Sequence, residues 1–301
     1  MNLINRAISL TLPAVPKPIV RHFSKRYIAG VGVDEAFAVV RDLAGGGAMS
    51  TIDILGEFIH RPEEAKKNTE DYLNLLQRIH DDRMEQTNVS VKLTALGLLL
   101  DPGLCLEIMR RILELARDLD NFVRIDMEDA ECTDATIGIY RDLGEAFPRN
   151  VGLVLQSRLR RTLDDVEALA ACPANYRLCK GIYLEPRKIA YTDAELIRRN
   201  FVLLLDRMFE MGAYVGIATH DERLVWEALR LIRKHGLPHN RYEFQMLLGV
   251  DEELRRILID SGHRLRVYVP FGEQWYAYSV RRLRENPQIA GHALRAMLQR
   301  S

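Results

Sequence analysis

Two kinds of hydrophobic pattern alternate along most of this chain. From residue 47 onward, short apolar runs are separated by longer stretches in which apolar residues recur every three or four positions. The short runs predict buried strands and the longer stretches predict amphipathic helices. The predicted strands are Met49–Leu55, Val89–Leu93, Phe122–Met127, Val151–Gln156, Tyr176–Lys180, Ala213–Thr219, Arg241–Leu247 and Leu265–Val269. The predicted helices occupy residues 62–86, 104–120, 133–147, 161–172, 193–212, 222–236 and 251–261.

Three of these helices follow residues that favour a helix start. Asp101 comes before the second helix, Thr133 and Asp134 before the third, and Thr192 and Asp193 before the fifth. Short polar side chains at such positions accept hydrogen bonds from the first free backbone N–H groups of a helix. We therefore expect each of these helices to be capped by its own sequence.

Eight strands that alternate with helices predict parallel βα units. The strand runs are short and apolar, as is typical of strands buried on both faces. Eight such units close a barrel, so we predict a distorted (βα)8 TIM-type barrel at 46–301 with an N-terminal helical arm at 1–45. An open doubly wound sheet is the alternative, but the glycines at 45–47 precede a strand, which is the wrong order for a dinucleotide-binding fingerprint.

The composition narrows the functional classes. The chain has 301 residues, 48% of them hydrophobic, and its 42 basic and 42 acidic residues cancel. Without a net positive field or a basic tract, nucleic acid is not an expected partner. Four cysteines without a Cys-x-x-Cys pair suit a reducing compartment, and no apolar run is long enough to span a membrane. We expect a cytoplasmic protein and leave open peripheral contact with the inner face of the membrane.

Polar residues recur where the predicted strands end. In a (βα)8 barrel the carboxyl ends of the strands meet at one rim, which carries the chemistry. Seven of the eight strands have such residues, and we expect them to converge on one site. They are Lys92, Asp126, Gln156, Arg177, Lys180, Thr219, His220, Gln245 and Tyr268.

These residue types leave several activities open. His220 and Asp221 could bind a metal with Asp126 and Glu128, although further histidines at strand ends would be expected for a metal-dependent lyase or hydrolase. Lys180 could form a Schiff base if it were desolvated. A barrel that binds a ligand as a regulator is a third possibility. We expect no metal.

The C-terminal stretch from Tyr268 to Pro287 contains adjacent arginines. If residues 273–286 are helical, Arg281 and Arg282 point about 100° apart, and Glu285 follows on the neighbouring face. Paired guanidinium groups are suited to holding a small carboxylate substrate. A solvated basic helix end would give the same pattern.

Taken in order, these motifs resemble the proline dehydrogenase family. The resemblance runs from about residue 28 to 288, and the Arg-Arg-x-x-Glu-Asn ending with its upstream tyrosine is specific. The motifs are Lys92, Asp126, Arg177-Leu-Cys-Lys180-Gly181-Ile-Tyr183, Thr219-His220, Glu243-Phe-Gln245 and the stretch from Tyr268 to Asn286.

The resemblance is to the monofunctional bacterial members, and the length leaves no room for the aldehyde dehydrogenase or DNA-binding segments of the fused enzymes. It implies a barrel that binds FAD, with the last barrel helix over the rim. It also implies oxidation of L-proline to pyrroline-5-carboxylate by hydride transfer to FAD, the first step of proline catabolism. A membrane quinone would accept the electrons, and a pyrroline-5-carboxylate dehydrogenase is a possible partner.

The resemblance also implies roles for single residues. Arg281, Arg282 and Lys92 would hold the proline carboxylate, and Glu285 would face the amine side of the ring. Tyr268, Leu247 and Tyr183 would wall the ring. Asp126 would hold Lys92 or an arginine in position, and Arg177 would direct its guanidinium at the reactive nitrogen of the flavin. The cofactor would be lined by Gln156, Lys180, Gly181, Thr219, His220 and Gln245.

Two positions depart from the family pattern. Ile182 stands where many relatives have alanine, and Leu184 where some have an aromatic residue. Both are expected near the cofactor pocket, so the preference between proline and hydroxyproline is less firmly implied than the reaction.

Overall fold

Eight parallel strands close into a barrel in which each strand pairs with its neighbours in sequence and the last pairs with the first. The computed structural model describes residues 20, 24–172, 174–276 and 278–280. The strands are β1 Met49–Ile54, β2 Thr87–Val91, β3 Val123–Ile125, β4 Val151–Gln156, β5 Asn175–Cys179, β6 Tyr214–Ala218, β7 Tyr242–Leu247 and β8 Leu265–Phe271. The predicted (βα)8 barrel is confirmed.

Helices connect the strands on the outside of the barrel. They are α1 Val33–Gly45, α2 Pro62–Asp81, α3 Pro102–Asp118, α4 Thr133–Ala146, α5 Thr162–Ala168, α6 Ala194–Glu210, α7 Glu222–Lys234 and α8 Glu252–Asp260. Short 3-10 turns occupy Leu93–Leu96, Ala130–Cys132 and His239–Arg241. Within the described ranges, no helix combines the length and the apolar character needed to cross a bilayer.

The N-terminal arm is described only in its later part. There α1 packs against β1 and β8. The division into an arm at 1–45 and a barrel at 46–301 therefore stays a prediction. The expectation that the last barrel helix lies over the rim concerns mainly residues after 280, which are outside the described residues.

One difference at a strand end concerns β8. The sequence predicts its end at Val269, directly before Pro270. The strand nevertheless continues to Phe271, whose carbonyl accepts from Leu55 N at 2.8 Å. Pro270 lacks an N–H, but its carbonyl still accepts from Ala29 N at 2.9 Å.

Two of the three predicted helix caps form. The Asp101 carboxylate accepts from Gly103 N and Leu104 N, and Asp193 caps α6 in the same way. The prediction for α4 was wrong. A 3-10 turn leads directly into α4, so Thr133 is its first residue, and among the described residues its hydroxyl has no hydrogen-bond partner.

The two faces of the barrel strands differ more than the apolar runs indicated. Side chains that point outward are apolar and pack under the helices, as Ile52, Val89 and Phe244 show. Side chains at the alternate positions meet inside the barrel and are mostly polar. The strands are buried on both faces, as expected, although the face inside the barrel is mostly polar. Buried polar groups are tolerated inside because they satisfy one another.

The inward-facing residues form two polar layers, related by a step of two residues along each strand. The lower layer, near the amino ends of the strands, contains Thr51, Asn88, Arg124, Asn175, Tyr214, Glu243 and Arg266. The upper layer, near the carboxyl ends, contains Asp53, Ser90, Asp126, Arg177, Gln245 and Tyr268. Polar contacts of 2.5–3.0 Å within the layers include Thr51–Asn88, Arg124–Asn175, Glu243–Arg266 and Ser90–Asp126.

A glycine in β4 makes room for one of these residues. A Cβ atom on Gly152 would lie 2.3 Å from Arg124 Nη1 and 2.6 Å from the carbonyl oxygen of Asn175. Arg124 uses this space to donate to that carbonyl at 2.7 Å. The backbone oxygen cannot move without disturbing the strand, so glycine is required here.

We predict that Gly152→Ala lowers the free energy of unfolding by about 1–3 kcal/mol, the usual cost of overpacking. Gly138 is a matched control, because it lies inside α4 and a Cβ there would meet nothing within 4 Å. Gly138→Ala should raise stability by about 0.5–1 kcal/mol through helix propensity. Urea denaturation followed by circular dichroism measures both, and equal effects would contradict the crowding at Gly152.

Candidate active site

A cavity of about 930 Å³ opens at the carboxyl ends of the strands. Of the fifteen predicted site residues, the twelve that the structure describes all line it. Arg281, Arg282 and Glu285 lie outside the described residues. The lining predicted residues are Lys92, Asp126, Gln156, Arg177, Lys180, Gly181, Tyr183, Thr219, His220, Gln245, Leu247 and Tyr268.

A second cavity, of about 750 Å³, lies between α6 and α7. Helix-surface residues line it, and of the residues lining the barrel cavity it shares only Arg198. Its lining contains none of the predicted site residues. The cavity at the barrel mouth is therefore the candidate active site.

A cluster of buried charges forms the floor of this cavity, and we call it the charge cluster: Asp53, Lys92, Asp126, Arg177 and Tyr268. Lys92 Nζ lies 2.8 Å from Asp53 Oδ2 and 3.6 Å from Asp126 Oδ2, and Arg177 Nη1 lies 2.8 Å from Asp126 Oδ1. The Tyr268 hydroxyl donates to Asp126 Oδ2 at 3.0 Å and accepts from Lys92 at 3.2 Å. Two cations thus face two carboxylates, and the charges balance.

The ionisation of the cluster follows from these contacts. Burial alone would lower the pKa of Lys92, but the carboxylate of Asp53, with Asp126 behind it, raises that pKa well above its usual range. Burial likewise opposes ionisation of Asp126, yet Lys92 and Arg177 hold its pKa below the usual value. Burial and the nearby carboxylates raise the pKa of Tyr268 well above 10.0, so its hydroxyl keeps its proton and can donate. Near neutral pH the cluster offers fixed cations and a neutral phenol.

Asp53 is the member of the charge cluster that the sequence reading missed. It lies near the end of β1, where Thr51, Ile52 and Ile54 surround it, and its side chain is fully buried. Burial raises the pKa of Asp53, and its contact with Lys92 opposes that shift. A charged residue inside a buried strand was the available signal, because such a residue needs a buried partner.

Arg177 is held rigidly on β5. Its Nε donates to Gln245 Oε1, and its Nη1 donates to Asp126 and, at 3.3 Å, to the Ser90 hydroxyl. The other terminal nitrogen, Nη2, has no hydrogen-bond partner among the described residues. Because Arg177 lines the cavity, Nη2 is the donor left for a bound molecule.

The wall formed by β4 and β5 depends on a glycine. Gln156 donates from Nε2 to the carbonyls of Glu128 at 2.7 Å and Met127 at 3.2 Å. Gly181 has a φ of +88°, and a Cβ there would lie 2.4 Å from Gln156 Oε1. Both the backbone conformation and the lack of space therefore require glycine at this position.

A group of charged residues lies at the outer edge of the cavity. Asp221 Oδ2 is 2.9 Å from Lys180 Nζ and 2.7 Å from Arg198 Nε. Burial would raise the pKa of Asp221, but hydrogen bonds from Arg198 and Lys180 hold it below its usual value. The side chain of Lys180 is 39% exposed, which does not provide the desolvated pocket that a Schiff-base lysine needs.

His220 is also engaged. Its Nε2 accepts a hydrogen bond from Leu247 N at 2.8 Å, which assigns the proton of the neutral ring to Nδ1. Each of the four residues considered as metal ligands already has a protein partner. The atoms engaged are Nε2 of His220 and carboxylate oxygens of Asp126, Glu128 and Asp221. In the part of the chain that the structure describes, no group of three or more histidine, cysteine or acidic side chains is placed to bind a metal.

Ile182 and Leu184, the two residues that depart from the family pattern, have different surroundings in the loop after β5. Ile182 lines the cavity together with Tyr183, whose carbonyl accepts from Arg158 Nη1 at 3.2 Å. Leu184 is 89% exposed and is not part of the lining. Of the two positions expected near the cofactor pocket, only Ile182 is therefore placed to affect packing there.

Barrel geometry, a rim cavity and a buried charge cluster together define a (βα)8-barrel protein with a candidate ligand site at its rim. A family model for proline dehydrogenase matches residues 36–294. The chain is 36% identical to the proline dehydrogenase of Deinococcus radiodurans over 92% of this chain and 90% of that protein. It is 34% identical to proline dehydrogenase 1 of Bacillus subtilis strain 168, over 92% and 91%. The chain belongs to the proline dehydrogenase family and is an oxidoreductase, as its resemblance to the monofunctional bacterial members predicted.

Solved structures agree with this family. Proline utilization A from Bdellovibrio bacteriovorus, inactivated by N-propargylglycine, superposes with a TM-score of 0.82 at 26% identity and covers 87% of this chain. The Bradyrhizobium japonicum protein, a D778Y mutant, superposes with a TM-score of 0.73 at 20% identity, which shows the shared fold alone. This chain spans about a third (32%) of each of those proteins.

Glu128 provides a pH-dependent prediction. Thr94 donates to both of its oxygens, at 3.0 Å from the backbone N, yet burial raises the pKa of Glu128 from 4.5 to about 7. A pKa raised by folding contributes stability that is complete below the unfolded value and is lost as the pH rises through the folded value. Glu128 therefore costs stability above about pH 7.

We predict that Glu128→Gln gains about 1–3 kcal/mol of unfolding free energy relative to the parent between about pH 5 and pH 8. Urea denaturation at the two pH values measures this difference. The exposed Glu107 of α3 provides a control for the substitution itself, since Glu107→Gln makes the same chemical change at the surface. If the difference between Glu128→Gln and the parent stayed constant between the two pH values, the raised pKa would be wrong.

Proposed function

We propose that this protein is an FAD-dependent proline dehydrogenase that oxidises L-proline to pyrroline-5-carboxylate. The electrons would pass from FAD to a membrane quinone, and a pyrroline-5-carboxylate dehydrogenase would use the product. The observation that carries the proposal is the guanidinium of Arg177. Three protein contacts hold it in place, and it lines the barrel cavity together with other members of the charge cluster. Membership in the family supports the substrate.

The cavity suits a flavin in size and in chemistry. Its volume of about 930 Å³ lies within the usual range for ligand pockets of about 300–1,000 Å³. The amides of Gln156 and Gln245 and the guanidinium of Arg177 suit a polar ring system. Lys180 and Arg198, at the outer edge, suit phosphate groups. With Thr219, His220 and Gly181, these residues would hold FAD, which when bound supplies the two-electron redox chemistry.

The charge cluster would place the substrate. Lys92 would help to bind the proline carboxylate, but Asp53 already offsets its charge. Arg281 and Arg282 would therefore provide most of the binding energy for that carboxylate. Asp126 holds both Lys92 and Arg177, and it thereby fixes the distance between the substrate side and the cofactor side of the cavity.

The other substrate residues would complete the pocket. Tyr268, Tyr183 and Leu247 would wall the ring and exclude water, and Glu285 would face its amine. Arg177 would keep a positive charge at the wall, where it stabilises negative charge that develops during oxidation.

The first test is the visible spectrum of the purified protein before and after anaerobic addition of L-proline. We expect a flavin spectrum that bleaches with proline, because the ring would be oxidised as the cofactor is reduced. Addition of D-proline is the matched control and should bleach the flavin far more slowly. A colourless protein that FAD does not reconstitute would refute the cofactor, and bound flavin without bleaching would refute the substrate.

The second test concerns the arginines of the C-terminal stretch. Arg281→Lys keeps the charge but loses the planar fork that binds a carboxylate through two hydrogen bonds. We expect KM for proline to rise at least about tenfold, equivalent to about 1.4 kcal/mol. Arg233→Lys, at an exposed position in the last turn of α7, is the control. Equal KM values in the two variants would remove Arg281 from the proposed carboxylate site.

A further inference from the structure

A buried carboxylate below the candidate active site has no part in the proposed chemistry. Glu243 lies in the lower polar layer, two residues before Gln245 on β7, and is 2% exposed. Its Oε1 accepts from Arg266 Nε at 2.8 Å and from Gln245 Nε2 at 2.6 Å, and its Oε2 accepts from the Tyr214 hydroxyl at 2.8 Å. Glu243 is therefore tied to the lower layer on one side and to the upper layer on the other.

The state of Glu243 is fixed by these partners. Burial would raise its pKa, but Arg266, with the hydrogen bonds from Tyr214 and Gln245, lowers it to about 2. An ionised carboxylate only accepts hydrogen bonds. The amide of Gln245 must then present its NH₂ group downward to Glu243.

The oxygen of the same amide, Gln245 Oε1, faces a group that requires an acceptor. A guanidinium only donates hydrogen bonds, and Arg177 Nε donates to Gln245 Oε1. A carboxylate below and a guanidinium above thus permit a single orientation of the amide between them. If the amide turned over, its NH₂ would face the guanidinium and its oxygen would face the carboxylate, so both contacts would be lost.

The neighbouring strand provides the space that this arrangement needs. A Cβ on Gly216 of β6 would lie 2.4 Å from Gln245 Nε2 and 2.8 Å from its Cδ. The glycine leaves room for the Gln245 amide beside β6. Any larger residue there would push the amide aside.

We propose that Glu243 is a positioning residue, which fixes the orientation of the Gln245 amide and thereby the direction in which Arg177 presents its Nη2 to the cavity. The importance of that direction for catalysis rests on the proposed function. Glu243 touches neither substrate nor cofactor and acts only through Gln245 and Arg177.

Two variants disrupt the contacts from Glu243 through Gln245 to Arg177 in independent ways. Glu243→Gln removes the charge with little change in size, so that either orientation of the Gln245 amide can find a partner. Gly216→Ala leaves the charge in place and displaces the amide by contact. Tyr214→Phe is the matched control, because it removes a hydrogen bond from Glu243 Oε2 without touching Gln245.

The direct readout needs no cofactor. In ¹⁵N-labelled protein the Nε–H signal of Arg177, assigned by its loss in Arg177→Lys, reports whether that N–H is held. We expect its hydrogen exchange to become at least about tenfold faster in Glu243→Gln and Gly216→Ala, and to stay within about a factor of two of the parent in Tyr214→Phe. Unchanged exchange in both test variants would overturn the proposal. If Glu243→Gln does not fold, Gly216→Ala decides alone.

The catalytic consequence is a separate measurement. With proline as substrate, kcat should fall about tenfold in both test variants, since a misplaced orienting group can cost up to about 10²-fold. KM should stay within about a factor of two, because Lys92 and the arginines are not moved. If exchange rises as expected but kcat falls in none of the variants, Glu243 does not position a catalytic group. Absence of flavin would refute the proposed function and leave the exchange result standing.

Discussion

The site depends on the balance of charge inside the barrel. Lys92 and Arg177 lie among side chains that exclude water, and each is matched by a carboxylate at 2.8 Å. An unpaired ion in such a place would lose several kcal/mol of hydration. The pairs therefore stabilise cations at the cavity floor, where burial of either cation without its partner would be costly. The positions of Asp53 and Asp126 on β1 and after β3 follow from this requirement as much as from any chemistry.

Hydrophobic pattern was sufficient to predict the fold, since strands and helices alternate with clear periods. The rim residues could also be predicted, because parallel strands bring their carboxyl ends together, and residues such as Gln156, Thr219 and Tyr268 stand at those ends. Strand ends were less certain. β8 passes through Pro270, whose carbonyl accepts from Ala29 N, and no local pattern reveals this distant contact.

The polar interior could not be read from the sequence in the same way. Single polar residues such as Asn88, Arg124 and Glu243 interrupt apolar runs, and each alone is consistent with a strand end or an exposed face. Their meaning depends on partners 23–51 residues away, as in Arg266–Glu243 and Arg124–Asn175. Asp53 was missed for this reason. Its partner Lys92 directly follows β2, and the pairing of β1 with β2 brings the two side chains together.

The glycines that face the barrel interior have a consequence for how this family can change over time. Gly152 serves Arg124 and Asn175, and Gly216 serves Gln245 and Glu243, so each glycine and its polar partners form a unit. Replacing one member leaves another crowded or without a partner, and contacting residues of this kind are not additive. A lineage could exchange such a unit only through several substitutions that are harmful singly and tolerated together. Divergence should therefore concentrate in the helices and loops outside the barrel, while the inside changes rarely and in concert.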